Sequence, residues 1–244
     1  MRNLLLEISY NGKNYHGWQV QSNAVTVQEK LQDAIECVFG ERCDVKGCSR
    51  TDSGVHANSF YCNFKTEKGI VSEKIPEALN ANLPNDISVK FCKEVSADFH
   101  ARYDCKGKEY VYKIWNGKSR NPFLDKLCLY YKHKIDVELI NKEAKDFIGK
   151  YDFSAFCSAG SSVEDKVREI YSFDVVRKGE EVLFIVKGNG FLYNMVRIMV
   201  GTLLDISSGK IEPGMIGEII QSCNRNNAGF TVSPEGLYLN EVYY

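Results

Sequence analysis

Leu4, Leu6, Ile8 and Tyr10 alternate with Leu5, Glu7 and Ser9 before the chain breaks at Asn11-Gly12. A period of two puts one set on each face of a strand, so the chain opens with a strand bound to bury one of them. The next segment changes period. Thr26-Val27-Gln28-Glu29 reads as a capping box, and Val27, Leu31, Ala34, Ile35 and Val38 then mark one face of a helix. Strands near 43–48 and 57–66 bracket a polar turn, a short helix near 73–80 stops before Pro84, and a strand returns at 86–95. The order β-α-β-β-α-β predicts a ferredoxin-like split βαβ unit.

The second half repeats the mixture. Strands are expected at 105–116, 127–132, 168–177 and 181–187, helices near 136–148, 191–206 and 213–222, and a closing strand at Leu237–Val242. With 244 residues, five scattered prolines and no flexible linker, the chain reads as two packed halves, 1–104 and 105–244. The expected class is α+β with antiparallel sheets.

Nine cysteines at no C-x-x-C spacing indicate neither a disulfide framework nor a zinc ribbon, and several fall in apolar runs such as Phe60-Tyr61-Cys62-Asn63-Phe64. This suits a reducing, cytoplasmic setting. The opening apolar run is too short for a signal-peptide core, and no run approaches the roughly 20 apolar residues of a membrane span. No metal is expected, since His16, His56, His100 and His133 are scattered, and no glycine-rich phosphate loop is present.

The net charge of −1 and a pI near 6.4 argue, as totals, against a nucleic-acid partner. The distribution argues otherwise. Residues 101–134 hold nine basic and three acidic side chains, a local +6 that leaves −7 elsewhere. Tyr103, Tyr110, Tyr112, Trp115, Phe123, Tyr130 and Tyr131 interleave with them. Basic side chains hold phosphates and aromatic faces stack on unpaired bases. A solvated strand pair with alternate aromatics in the core has the same pattern.

The sharpest motif is Cys48-Ser49-Arg50-Thr51-Asp52-Ser53-Gly54-Val55-His56-Ala57. It has three readings. In a purely structural one, Asp52 caps a turn, Gly54 supplies a positive φ and Arg50 is a surface partner. An aspartic-protease triplet needs a second Asp-Thr/Ser-Gly, which the chain lacks. The third reading is a lone carboxylate in a nucleic-acid site. An aspartate is ordinarily ionised at neutral pH, an adjacent arginine holds it charged, and a carboxylate can act at a sugar carbon.

Ser49–Ala57 resembles the Gly-Arg-Thr-Asp-Ala-Gly-Val-His-Ala signature of the tRNA pseudouridine synthase A family at seven of nine positions. Further segments follow the family's order: Gly17-Trp18-Gln19-Val20-Gln21, Asn80-Ala81-Asn82-Leu83-Pro84, Phe99-His100-Ala101-Arg102, Lys108-Glu109-Tyr110-Val111-Tyr112, Asp152-Phe153-Ser154-Ala155-Phe156, Phe191–Arg197 and Gly236-Leu237-Tyr238-Leu239. The resemblance implies two ferredoxin-like halves packed around a central basic cleft. It implies isomerisation of uridine at positions 38, 39 and 40 of the tRNA anticodon stem-loop, without metal or organic cofactor, by a homodimer. Asp52 matches the catalytic aspartate and Tyr110 the active-site tyrosine, with Tyr112 as the core member of that pair. Arg197 matches the partner of Asp52, and Arg50 serves the loop by contacting a phosphate or helping to flip the base. Arg102, Lys108 and Lys187 are candidate backbone contacts. Ser49 and Ser53 depart from the family's Gly and Ala, and a Cβ at 49 fits only if its φ is negative or mildly strained. The tail Thr231–Glu235 also departs from the usual Ala-Pro pairing. The rival readings are a non-catalytic RNA-binding module on a ferredoxin-like scaffold and a glycosylase that releases free base.

Overall fold

A computed structural model describes residues 1–161 and 163–244. The opening alternation forms β1 (Arg2–Tyr10), with Leu4, Leu6, Ile8 and Tyr10 buried. Leu5, on the opposite face by period, is buried as well. That face is covered by the segment after residue 95, since Asn3 donates from its amide to the carbonyls of Ser96 and Phe99 at 2.9 Å. Thr26 caps α1 (Val27–Phe39) by accepting from the Glu29 amide, and Gly40 ends it in the left-handed conformation. Val27, Leu31, Ala34 and Ile35 are buried as expected, but the last turn buries Phe39 and leaves Val38 half-buried. Positions 38 and 39 straddle the stripe, and Phe39 meets the edge of Phe64 at 5.3 Å between ring centroids. Full burial of such a side chain contributes roughly 1.5–3 kcal/mol, which favours the larger residue inside.

β2 has only two residues (Lys46–Gly47), followed by β3 (His56–Thr66), α2 (Ile75–Asn80) and β4 (Ile87–Val95). β1 pairs antiparallel with both β3 and β4, and β2 pairs antiparallel with β3. The order β4-β1-β3-β2 is the split βαβ arrangement predicted from the sequence.

The chain divides into two compact units. The sequence puts the division at 104/105; the units are Met1–Lys106 with Tyr238–Tyr244, and Gly107–Leu237. In the second unit, β5 (Gly107–Trp115) is followed by β6 (Leu129–Tyr130), α3 (Val137–Glu143), β7 (Gly149–Asp152), β8 (Val167–Lys178) and β9 (Glu181–Gly188). β9 lies antiparallel between β5 and β8, so β5, α3 and β8 form a second split βαβ. β6 runs parallel to the end of β5, and β7, which the sequence does not reveal, extends the sheet beside β8. α4 (Met195–Ser207) is buried on nearly every side, and α5 (Ile216–Ser222) follows. β10 (Leu237–Tyr243) returns to the first unit, where Tyr238 and Leu239 run parallel to His56 and Ala57. The architecture is α+β.

All nine cysteines are free, and burial pushes the thiol of Cys62 up and that of Cys92 up to about 12. Among the described residues, no helix is long and apolar enough to cross a membrane.

The departing tail has a structural cost. Ser233 accepts the Tyr112 hydroxyl at its carbonyl (2.7 Å), while its own Oγ is buried without a hydrogen-bond partner. An unsatisfied buried hydroxyl costs about 1–3 kcal/mol. Ser233→Ala is therefore expected to raise stability by about 1 kcal/mol, read as an increase in the chemical-denaturation midpoint; a lower midpoint would show the hydroxyl to be satisfied.

Candidate active site

The Asp52 loop leaves β2 and enters β3 through bonds to its neighbours. Cys48 N–H donates to the Tyr61 carbonyl at 2.8 Å, which keeps the loop's first residue on the sheet. Val55 N–H donates to the Asp52 carbonyl at 3.2 Å, closing a four-residue turn. Gly54 stands at its third position with φ +78°, the conformation a type II turn requires there. The carboxylate of Asp52 thus sits half-buried at the head of a fixed turn. Ser49 does not adopt a positive φ, so its Cβ is accommodated.

The segment between β1 and α1 grips the other side of the loop. Trp18 N–H donates to the Thr51 carbonyl (3.2 Å), and Tyr15 O accepts from Gly54 N–H (3.1 Å) and Ser53 Oγ (3.4 Å). Tyr10 and Thr51 share a buried hydroxyl–hydroxyl bond of 2.8 Å. Gly12 N–H donates to Nδ1 of the buried His56, whose ring stacks on Tyr238 at 4.6 Å. Tyr15 is itself held by Asp86 through a 2.5 Å hydroxyl–carboxylate bond. Burial, and then that carboxylate, push the Tyr15 phenol well above its ordinary range, so it remains the donor.

Arg50 projects from the same loop, exposed, and makes no hydrogen bond or ion pair among the described residues. It does not act as the surface partner that the structural reading of the motif required.

In the second unit, Tyr110 lies on β5 and is 6% exposed, its ring meeting Phe191 edge-on at 5.1 Å. Tyr112, two residues on, is wholly buried, and burial drives its phenol far above the ordinary range. Both rings are buried, Tyr112 the more completely. Arg197 is half-buried in the first turn of the largely apolar α4. Its Nε donates to the Val232 carbonyl (2.8 Å) and a terminal nitrogen to Asn194 Oδ1 (2.6 Å). Asn194 holds a left-handed φ of +61° and donates to Ser158 Oγ, so the guanidinium is held through two of its nitrogens by partners that are themselves fixed. That backbone turn also explains why the helix begins at 195 rather than 191.

A family model for tRNA pseudouridine synthase matches residues 8–104 and 144–244. The tRNA pseudouridine synthase A of Acetivibrio thermocellus is 48% identical over 244 residues, covering all of both chains. Those of Caldicellulosiruptor saccharolyticus and Clostridium acetobutylicum are 47% and 46% identical, again over the full length of both chains. The chain belongs to the tRNA pseudouridine synthase family. It is an isomerase acting on tRNA.

Asp52 and Arg50 lie in the first unit, on one loop, and Tyr110 and Arg197 lie in the second. Lys187 is engaged with Glu109 in an ion pair of 3.1 Å, which qualifies it less as a free backbone contact. No cluster of three or more His, Cys, Asp or Glu suited to a metal ion occurs among the described residues. Tyr10, Tyr15 and Asp86, which position the loop, were not legible as site residues: they are distant in sequence and belong to no motif.

Gly17 tests this arrangement. Its φ is +85°, and a Cβ there would come within 2.3 Å of the Thr51 carbonyl oxygen. The left-handed backbone alone costs a non-glycine residue about 1–2 kcal/mol. Gly17→Ala is expected to lower the melting temperature and to reduce pseudouridine formation in tRNA more than its loss of folded protein explains. Wild-type values in both assays would show that the loop does not depend on this contact.

Proposed function

We propose that this synthase converts uridine to pseudouridine at positions 38, 39 and 40 of the tRNA anticodon stem-loop, with Asp52 as the catalytic carboxylate. The observation that carries this reading is the Asp52 turn, a half-buried carboxylate on a loop fixed from both sides, in a chain that matches tRNA pseudouridine synthase A relatives end to end. The reaction breaks the C1′–N1 bond and forms a C1′–C5 bond, with the C5 proton lost and N1 protonated. Mass is conserved and no water is consumed. A rigid carboxylate suits such chemistry because the detached base must be held and reattached rather than released. Tyr110 is assigned to stack on the flipped uracil, Arg197 to orient the reacting groups and Arg50 to help extrude the base. A target inside a stem must be unstacked, which costs a few kcal/mol.

Asp52→Asn is expected to abolish pseudouridine formation in tRNA, by a factor of at least 1,000, with no free uracil released by the wild type. Wild-type turnover by the variant would sink the catalytic assignment, and released uracil would make the protein a glycosylase.

The same reading makes the working enzyme a cytoplasmic homodimer, one tRNA touching both subunits. Light scattering at micromolar concentration is expected to give twice the 27.7 kDa of one chain. A single-chain mass at that concentration would overturn the dimer.

A further inference from the structure

Beside the Asp52 loop, within the first unit, lies a pocket of about 220 Å³ whose lining includes Lys46, Arg50, His100, Arg102, Tyr103 and Asp44. We propose that it binds the phosphodiester and the base of a nucleotide next to the target uridine. The proposal rests on the tRNA reading above and adds to it a second contact on the same strand.

The pocket is smaller than the roughly 300–1,000 Å³ that enclose a whole small molecule. Charged side chains and one open aromatic ring line it, which suits one segment of a longer chain. Asp44 is engaged with Lys46 at 2.5 Å. The guanidinium groups of Arg50 and Arg102 make no hydrogen bond or ion pair among the described residues. Two such cations facing one concavity repel each other unless an anion lies between them, and planar guanidinium groups match phosphate oxygens in pairs.

The wall that carries Arg102 is built to hold its shape. Tyr103 and Asp104 N–H both donate to the His100 carbonyl at 3.1 Å, and His100 N–H donates to Asp104 Oδ2 at 2.8 Å. The buried Ala101 is tied on both sides, its N–H to Asn63 Oδ1 (2.9 Å) and its carbonyl to the Tyr244 hydroxyl (2.7 Å). Such a turn leaves Tyr103 75% exposed, with the His100 ring 4.3 Å and the Arg102 guanidinium 5.9 Å from its ring centroid. A large ring held open in this way offers a stacking face for an unpaired base. Arg50 is two residues from Asp52, so their Cα atoms lie at most about 7 Å apart. The occupant is therefore an immediate neighbour of the reacting nucleotide.

The test is equilibrium binding of unmodified tRNA to the full chain carrying Asp52→Asn, followed from 50 to 200 mM salt. Adding Arg102→Ala is expected to weaken binding about tenfold and to flatten the slope of log K against log salt by about 0.7, the value for one single-strand phosphate. Adding Tyr103→Ala is expected to weaken binding by a similar factor with the slope unchanged, while Tyr103→Phe binds like its parent. Parental affinity and slope in both alanine variants would overturn the pocket, and equal loss in Tyr103→Phe and Tyr103→Ala would overturn stacking. Absence of pseudouridine in wild-type reactions would instead overturn the catalytic reading, whatever the binding curves show.

Discussion

The site depends on a set of backbone hydrogen bonds between two loops of the first unit. A loop between strands is ordinarily the mobile part of a domain. Here the residues that flank Asp52 donate to or accept from Tyr15, Trp18 and Tyr61, so the carboxylate inherits its position from main-chain atoms. Main-chain bonds are indifferent to side-chain identity, so a serine is accommodated at position 53: its N- and C-terminal neighbours hold the turn, and its hydroxyl adds a bond to the Tyr15 carbonyl. The anchor runs deeper through the Tyr15 hydroxyl to Asp86, beyond α2 in sequence. Two sequence-distant segments thus fix one carboxylate.

Arg197 in the second unit is fixed by a different device. An arginine on an apolar helix has a long, flexible stem, and ordering it costs up to about 2 kcal/mol of side-chain entropy. The Val232 carbonyl and the Asn194 amide oxygen offset that cost in advance. Asn194 can do so because asparagine tolerates the left-handed backbone that starts α4. The tail at 231–235 belongs to the same arrangement: Val232 supplies the carbonyl for Arg197 and Ser233 that for Tyr112.

Period and capping made the strands and helices of the first unit readable, because each buries one face against a neighbour and the alternation records it. β2 and β7 were less legible: two and four residues are too few to establish a period. Phe39 replaced Val38 at the end of α1 because burial area decides between adjacent edge positions. At the candidate site, Asp52, Arg50, Tyr110 and Arg197 were singled out through motifs, whereas the residues that hold the loop act through single long-range bonds with no local signature. Lys46, His100 and Tyr103 were missed as a group for the same reason: only folding brings the Lys46 strand and the 100–103 turn to one pocket.

The near-zero net charge also takes on a physical meaning. Of the aromatic residues in the +6 segment, Tyr110 and Tyr112 went to the core, while Tyr103 and Phe123 remain 75% and 88% exposed beside basic side chains. The segment is therefore neither a pure core pair nor a uniform stripe. Non-specific attraction to RNA grows with the number of phosphates a protein neutralises, so a chain of net charge −1 gains little from the bulk field. An enzyme that unstacks a base must offset a few kcal/mol, and with little bulk attraction that energy has to come from local contacts. In the binding pocket proposed above, unpaired arginines and an open ring on a rigid turn are the groups suited to provide them: they attract phosphate at short range, stack at van der Waals distance, and contribute only where the RNA has the right shape.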